Sequence, residues 1–111
     1  VDHEYALTVL STVTSRPTPT RIICDAGRKT MSMDAAVPRP RGIEGVADVR
    51  LSAEHGIVTL DDPSDTPRVG DTFEFVVGYS DTTVCLHDAI VAVRNGVVET
   101  VWDLPGRGKL Q

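Results

Sequence analysis

Two residues near the end of the chain, Asn95 and Gly96, constrain the fold more than any other feature of the sequence. They separate two runs rich in β-branched residues, 90–94 and 97–102. A type I′ turn needs positive φ at both central residues, and Asn-Gly is a pair that adopts this conformation readily. The sequence therefore predicts an antiparallel β-hairpin over residues 90–102.

The rest of the chain repeats this alternation of short apolar runs and turn residues. Turn signals recur roughly every 8–12 residues, the spacing typical of a small barrel or sandwich. The predicted strands are 6–15, 21–25, 46–51, 57–60, 72–77 and 83–87. The 46–51 and 57–60 strands should pair through the turn at Glu54-His55-Gly56. We therefore predict an all-β chain of 111 residues, folded as one domain (1–111) into a small antiparallel β-barrel or sandwich.

Proline and glycine mark the predicted interruptions between these strands. The segment Arg16-Pro17-Thr18-Pro19 should end the first strand. After Gly27, residues 28–33 are expected to form a single helical turn. Residues 35–45 are predicted to be a loop, because Pro38 and Pro40 have no N–H to donate within a central strand.

Charge and cysteine content narrow the possible partners. The net charge is −5 and no basic cluster is present, which argues against nucleic acid and against an anionic membrane surface. The acidic start, residues 1–4, lacks the features of a signal peptide. The missing initiator Met fits either a domain from a longer protein or removal of Met by processing. Cys24 and Cys85 lie in apolar runs and are predicted to be buried free thiols, which favours a cytoplasmic protein.

The sequence contains no complete catalytic or zinc-binding motif. It has no His-x-His, Cys-x-x-Cys or His-Glu-x-x-His spacing, and no Gly-x-Ser-x-Gly element. His55 lies in a predicted turn, where it is either a functional group or an imidazole bonded to nearby backbone. For His87, at a predicted strand end, a structural role is favoured. The polar segment 78–83 interrupts two β-rich runs, which indicates either a bulge or a functional loop.

An ordered series of short motifs along nearly the whole chain resembles the C-terminal domain of the D-threonine aldolase and D-serine dehydratase-like enzymes. The motifs are Ala6-Leu7-Thr8-Val9, Thr12-Val13, Ser15-Arg16-Pro17, Asp25-Ala26-Gly27-Arg28-Lys29, Leu51-Ser52-Ala53-Glu54-His55-Gly56, Gly70-Asp71, Thr83-Val84, Leu86-His87-Asp88, Trp102 and Arg107-Gly108.

The resemblance implies an architecture and a chemistry. Enzymes of this family have the fold-type III architecture of alanine racemase, in which an N-terminal (β/α)₈ barrel carries pyridoxal 5′-phosphate on a lysine. A C-terminal β domain packs over the active-site mouth. The expected reactions on small D-3-hydroxy amino acids are retro-aldol cleavage to glycine and an aldehyde, or β-elimination of water. Homodimers are common in this family, and we expect the barrel upstream of this chain.

The resemblance also indicates site residues. Many members bind zinc or manganese through a segment that falls here on residues 77–81, where Asp81 matches a ligand position and Tyr79 replaces the histidine. A phenol is a poorer ligand than imidazole. The metal is therefore lost, or bound weakly through Asp81, or Tyr79 serves as an acid/base or hydrogen-bonding group. His55 belongs to the family pattern and is a further catalytic candidate.

Three functions remain open from the sequence. The first is the C-terminal domain of a pyridoxal-phosphate lyase. The second is a stand-alone β module for binding or structure, which would show no large exposed apolar face. The third is the domain of a metal-independent racemase or deaminase. Lys29 lies in the β domain pattern and is not the Schiff-base lysine, so the chain by itself is expected to be inactive.

Overall fold

The longest strand, β1 (Thr8–Thr18), pairs with two different partners along its length. Its first half lies antiparallel to β6 (Thr72–Val76), with Thr8 opposite Val76 and Thr12 opposite Thr72. Its second half lies antiparallel to β2 (Arg21–Cys24), and irregularities in register follow Val13 and Ser15. Bulges of this kind increase the local twist and bend of a strand. The structure, a computed structural model, describes residues 3–109, so Val1 and Asp2 of the acidic start lie outside the described residues.

Six strands form one antiparallel sheet around β1. The remaining members are β3 (Arg39–Pro40), β4 (Val46–Leu51) and β5 (Gly56–Leu60), and the strand order is β3-β6-β1-β2-β5-β4. The sheet curls into a nearly closed, barrel-like shape. A short helix, α1 (Ser80–Val84), follows β6. Strands β7 (Ala89–Arg94) and β8 (Val97–Asp103) form a separate two-stranded sheet. The prediction of a small all-β domain is confirmed.

Aliphatic side chains and two phenylalanines fill the inside of the sheet. Phe75, Ile22 and Val58 are fully buried, and Phe73 packs against Phe75 with ring centroids 5.0 Å apart. On β1 the buried positions alternate with exposed or half-buried ones, as expected for a strand with one face on a core. The remaining buried apolar residues are Val9, Val13, Cys24, Ala26, Met31, Val49, Leu51, Leu60 and Val76.

The predicted strands around the turn at Glu54 and in the last third of the chain are largely confirmed. β4 and β5 pair as expected, with Leu51 opposite Gly56. The β7–β8 hairpin has Asn95 at φ 52° and Gly96 at φ 76°, the positive values that a type I′ turn needs. Cys24 is buried and Cys85 is half-buried, and both are free thiols.

Four predicted segments differ from the structure. β1 continues through Pro17 to Thr18 because its pairing with β2 is irregular there, so the missing N–H breaks no regular ladder. The predicted loop at 35–45 contains β3, but this strand has only two residues and lies at the sheet edge, where proline is tolerated. The helical turn predicted at 28–33 is present but shorter, because the Gly27 carbonyl accepts from the N–H groups of Thr30 and Met31 and the turn ends there.

The fourth difference concerns residues 83–87, for which the sequence predicts a strand. Their first two residues complete α1, and the backbone N–H groups of Leu86 and His87 then bond to the carbonyls of Thr83 and Val84. Local hydrogen bonds therefore satisfy this backbone, and the β-branched composition is overridden. No helix within residues 3–109 has the length and apolar character to cross a membrane.

Truncation of Phe75 tests the core. We expect Phe75→Ala to lower the free energy of unfolding by about 3–5 kcal/mol, because it removes a fully buried ring and leaves a cavity. The matched control is Leu10→Ala on the exposed face of β1, which should change stability by less than about 0.5 kcal/mol. Urea unfolding followed by circular dichroism measures both, and equal losses would contradict the assignment of the core.

Candidate functional site

Three loop segments leave the six-stranded sheet in the same direction, and we call the region that they form the site end. Residues 25–34 follow β2, residues 52–55 connect β4 to β5, and residues 77–81 follow β6. The turn at 52–55 lies beside the end of β2, because Cys24 lies opposite Gly56. β2 and β6 both run antiparallel to β1 and leave the sheet in the same direction, but Cys24 lies opposite Val13 and Val76 lies opposite Thr8, further along β1. Residues 25–34 connect the other two segments, because Arg28 bonds to the 52–55 turn and Ser32 bonds to Thr83 in α1.

Tyr79 and Asp81 lie side by side at the start of α1. The Tyr79 hydroxyl donates a hydrogen bond to Asp81 Oδ2 at 3.3 Å, and Ser80 Oγ donates to Asp81 Oδ1 at the same distance. Tyr79 is 42% exposed and has an extended backbone. The structure thus brings together two of the three predicted site residues as an accessible phenol–carboxylate pair.

A buried threonine holds the backbone of Tyr79 in place. Thr83 Oγ1 donates to the Tyr79 carbonyl at 2.7 Å and accepts from the Ser32 backbone N–H at 3.2 Å. The side chain of Thr83 is almost fully buried, so water does not compete for these bonds. Thr83 therefore connects the Tyr79 segment to residues 25–34. Its pattern in the sequence, one threonine in a β-like run, gives no indication of this role.

Gly78 allows the backbone before Tyr79 to approach residue 36 closely. A Cβ at Gly78 would lie 1.9 Å from the Ala36 carbonyl oxygen, far inside contact distance. Only glycine fits at this crossing, so the polar segment starts from a fixed backbone position. The predicted polar segment at 78–83 is thus an anchored turn leading into a helix.

His55 lies in another segment of the site end, the turn at 52–55 between β4 and β5. Ser52 holds this turn, because its N–H donates to the His55 carbonyl at 2.9 Å and its hydroxyl accepts from the His55 N–H at 3.1 Å. The imidazole is exposed, and within residues 3–109 it makes no hydrogen bond to Tyr79 or Asp81. The structure therefore places His55 at the same end as the pair without joining it to them.

Residues 27–31 connect the 52–55 turn to the region around α1. The N–H groups of Arg28 and Lys29 donate to the carbonyls of Ser52 and Ala53 at 2.8 and 3.1 Å. At the other end, His87 Nε2 lies 2.7 Å from the Thr30 carbonyl oxygen. A carbonyl only accepts, so Nε2 carries the proton, and His87 has the structural role that the sequence favours for it.

Lys29 and Glu54 form an ion pair beside His55. The hydrogen bond from Lys29, together with its positive charge, lowers the pKa of the Glu54 carboxyl below its ordinary value. Both side chains are exposed. Lys29 is therefore engaged with Glu54 at the domain surface.

The described residues do not form a metal site. Within residues 3–109 no group of three or more His, Cys, Asp or Glu side chains could hold a metal ion. Both oxygens of Asp81 already accept hydrogen bonds, from a phenol and from a serine hydroxyl. A single carboxylate beside a phenol does not match the donor set that zinc or manganese prefers.

Comparisons with known proteins agree on one family. The family model described as putative serine dehydratase domain matches residues 6–93. A D-threonine aldolase from an Arthrobacter species is 38% identical over 95% of this chain, and a 3-hydroxy-D-aspartate aldolase from Paracoccus denitrificans is 41% identical over 96%. The chain spans only 28% and 27% of these two proteins.

Two further matches concern size and structure. An uncharacterized protein of Mycobacterium bovis is 30% identical over 96% of this chain, which spans 86% of that protein. The crystal structure of D-threonine aldolase from Filomicrobium marinum superposes with a TM-score of 0.92 at 31% identity, over all of this chain and 30% of that one. Sequences of this family thus occur both within long proteins and in a short one.

Substitution of Gly78 tests the anchoring of the polar segment. We expect Gly78→Ala to destabilise the domain by about 1–3 kcal/mol, because the new methyl group forces the backbone at Ala36 to shift. Gly106→Ala is the control, since no atom lies within 4 Å of the position that a Cβ would occupy there. Thermal unfolding of both variants measures the difference, and equal midpoints would refute the close contact.

The Lys29–Glu54 pair predicts a specific titration. In Lys29→Met the pKa of Glu54 should return upward to its ordinary range, whereas Lys109→Met should leave it low. Because the folded pKa is depressed, the pair stabilises the fold above the unfolded carboxyl pKa, and this contribution is lost as pH falls through the folded pKa. NMR titration of the carboxyl carbons measures the pKa of Glu54. An unchanged Glu54 pKa in Lys29→Met would disprove the pairing.

Proposed function

The chain belongs to the putative serine dehydratase domain family, and from this we propose that it is the C-terminal domain of a pyridoxal-phosphate-dependent lyase acting on D-3-hydroxy amino acids. The observation that carries the proposal is the match of the whole chain to part of a D-threonine aldolase with a TM-score of 0.92. The names of two further relatives, D-threonine aldolase and 3-hydroxy-D-aspartate aldolase, point to the same substrate class.

In this proposal the site end faces the active site of the preceding domain. Aldol cleavage requires a group that accepts the proton of the substrate's β-hydroxyl, and dehydration requires one that delivers a proton to it. Asp81 carries a carboxylate that is exposed and oriented by the Tyr79 hydroxyl and by Ser80. We assign proton transfer at the β-hydroxyl to the Tyr79–Asp81 pair, and we retain His55 as a second polar group facing the substrate.

The cofactor belongs to another part of the enzyme. Pyridoxal phosphate needs a lysine to form its Schiff base, and Lys29 is paired with Glu54 on the surface. Lys109 is exposed in the C-terminal tail. The domain therefore contributes to substrate chemistry and to covering the site. A homodimer of the longer protein is part of the same proposal, and the two free thiols fit a cytoplasmic location.

A stand-alone module is the second candidate, and one observation favours it. The short Mycobacterium bovis relative is almost covered by this chain, so the family includes proteins of about this size. The β7–β8 hairpin opposes this candidate, because six large apolar side chains of this element are more than half exposed. A chain that works alone would bury them. A racemase or deaminase without metal is a third candidate within the enzyme class.

Activity of the longer enzyme tests the Tyr79–Asp81 pair. We expect Tyr79→Phe and Asp81→Asn each to lower kcat by roughly 10²-fold or more, because each removes one member of a proton-transfer pair. Ser80→Ala, which removes a neighbouring hydrogen bond only, should cost less than about tenfold. The measurement is aldehyde release from D-threonine and pyruvate release from D-serine. Activity near that of the unmodified enzyme in both Tyr79→Phe and Asp81→Asn would refute the assignment.

The metal content of the same enzyme separates the alternatives. Without a complete ligand set in this domain, the unmodified enzyme should keep its activity in chelator and carry no stoichiometric zinc or manganese. Tyr79→His, which restores the family's imidazole, should increase metal binding measured by mass spectrometry. An unmodified enzyme that loses activity in chelator and regains it with manganese would refute this expectation and show that the enzyme uses a metal with ligands from outside this domain.

A further inference from the structure

The β7–β8 hairpin presents apolar side chains on both of its faces. Cross-strand partners share a face, so Val91 and Val101 lie together with the pair Val93 and Val98. All four are 53–58% exposed. The other face carries Trp102, which is 57% exposed and is the cross-strand partner of Ile90. Neither face of the hairpin is therefore a typical solvent-facing surface.

The hairpin is also separated from the main sheet. A cavity of about 1050 Å³ lies between it and the beginning of β1, lined in part by Leu7, Val9, Val84 and Ile90. Every residue of β8 is exposed. At its base, the Leu104 N–H donates to the Asp88 carbonyl at 2.9 Å, and Arg107 pairs with Asp88. The hairpin is thus held at its base and is open along both faces.

A hairpin with two exposed apolar faces is expected to pack against another protein surface. A single two-stranded hairpin is at best marginally stable in water, and its unpaired edges invite association. The charges that proteins place on exposed strands are sparse here, since the one ion pair along these two described strands joins Arg94 to Glu99 near the turn. A two-faced apolar hairpin with so few charges fits an element that is covered in the working protein.

We propose that the β7–β8 hairpin is the docking surface for the preceding region of a longer form of this chain. This inference rests on the proposed function, and it adds which surface joins the two parts. The two aldolase relatives extend far beyond the matched part, which is less than a third of each. The Filomicrobium marinum enzyme keeps the same fold over all of this chain within a protein more than three times as long. The occupant is therefore an apolar surface of the same polypeptide.

Hydrogen exchange in the unmodified longer protein tests the docking without any substitution. We expect amides of β7 and β8 to exchange within roughly tenfold of those of the β4–β5 hairpin, because a covered hairpin opens no more readily than the core. Exchange that is more than roughly a hundredfold faster than in β4–β5 would show an uncovered hairpin and overturn the inference. Protection that disappears on dilution would assign the surface to a second copy, which also overturns it.

A charge on the hairpin identifies the occupant. Val101→Asp should speed exchange in β7, β8 and the contacting peptides of the preceding region by roughly tenfold or more, and leave β4–β5 unchanged. Val69→Asp, a similarly exposed valine outside the hairpin, is the matched control and should change none of them. If Val101→Asp leaves the preceding region unchanged, the inference is wrong.

The lyase assay separates this inference from the proposed function. A longer protein with a protected hairpin but no activity on D-3-hydroxy amino acids would support the docking surface and refute the proposed function. An active enzyme whose hairpin exchanges at the uncovered rate would do the reverse.

Discussion

The double pairing of β1 is the constraint on which the rest of the structure depends. One strand supplies the ladder for β6 with its first half and for β2 with its second half. The register irregularities in the second half let the strand bend, so that the two parts of the sheet curl toward one another. Because β2 and β6 both run antiparallel to β1, their carboxyl ends point to the same end of the sheet. The two ends are offset along β1, and residues 25–34 connect them by bonding to the 52–55 turn and to Thr83.

Backbone contacts, rather than side-chain packing alone, hold the site end together. Gly27 lies so close to the turn at residues 52–55 that a Cβ would come within 2.5 Å of the His55 nitrogen and the Ser52 carbonyl oxygen. Gly78 makes the corresponding contact with Ala36, and Thr83 links Tyr79 to Ser32. Under the proposed function this support keeps the Tyr79–Asp81 pair in position toward the substrate, where misplacement of about 1 Å can cost 10²-fold in rate.

Local patterns in the sequence are enough to predict the elements whose turns have strong signals. The Asn95-Gly96 hairpin and the β4–β5 hairpin both depend on interactions within a few residues, and both are confirmed. The strand predicted at residues 83–87 is wrong because Thr83 and Val84 have strand propensity, while the structure uses the Thr83 hydroxyl to satisfy backbone groups of Tyr79 and Ser32. The contact with Ser32 spans 51 positions in sequence, so no local pattern reports it.

Local sequence patterns also report only part of the candidate site and only part of the β7–β8 hairpin. Tyr79 and Asp81 are two positions apart, so the sequence alone indicates that they lie close together. The bridge from Ser52 to Arg28 that fixes the 52–55 turn is visible only in the fold. In the hairpin, the β-branched runs specify the strands correctly, yet apolar residues occupy both faces. Such composition is typical of strands buried on both sides. A hairpin whose local structure is complete but whose faces are uncovered is best explained as half of an interface, and in the proposed enzyme the other half belongs to the region that holds the cofactor.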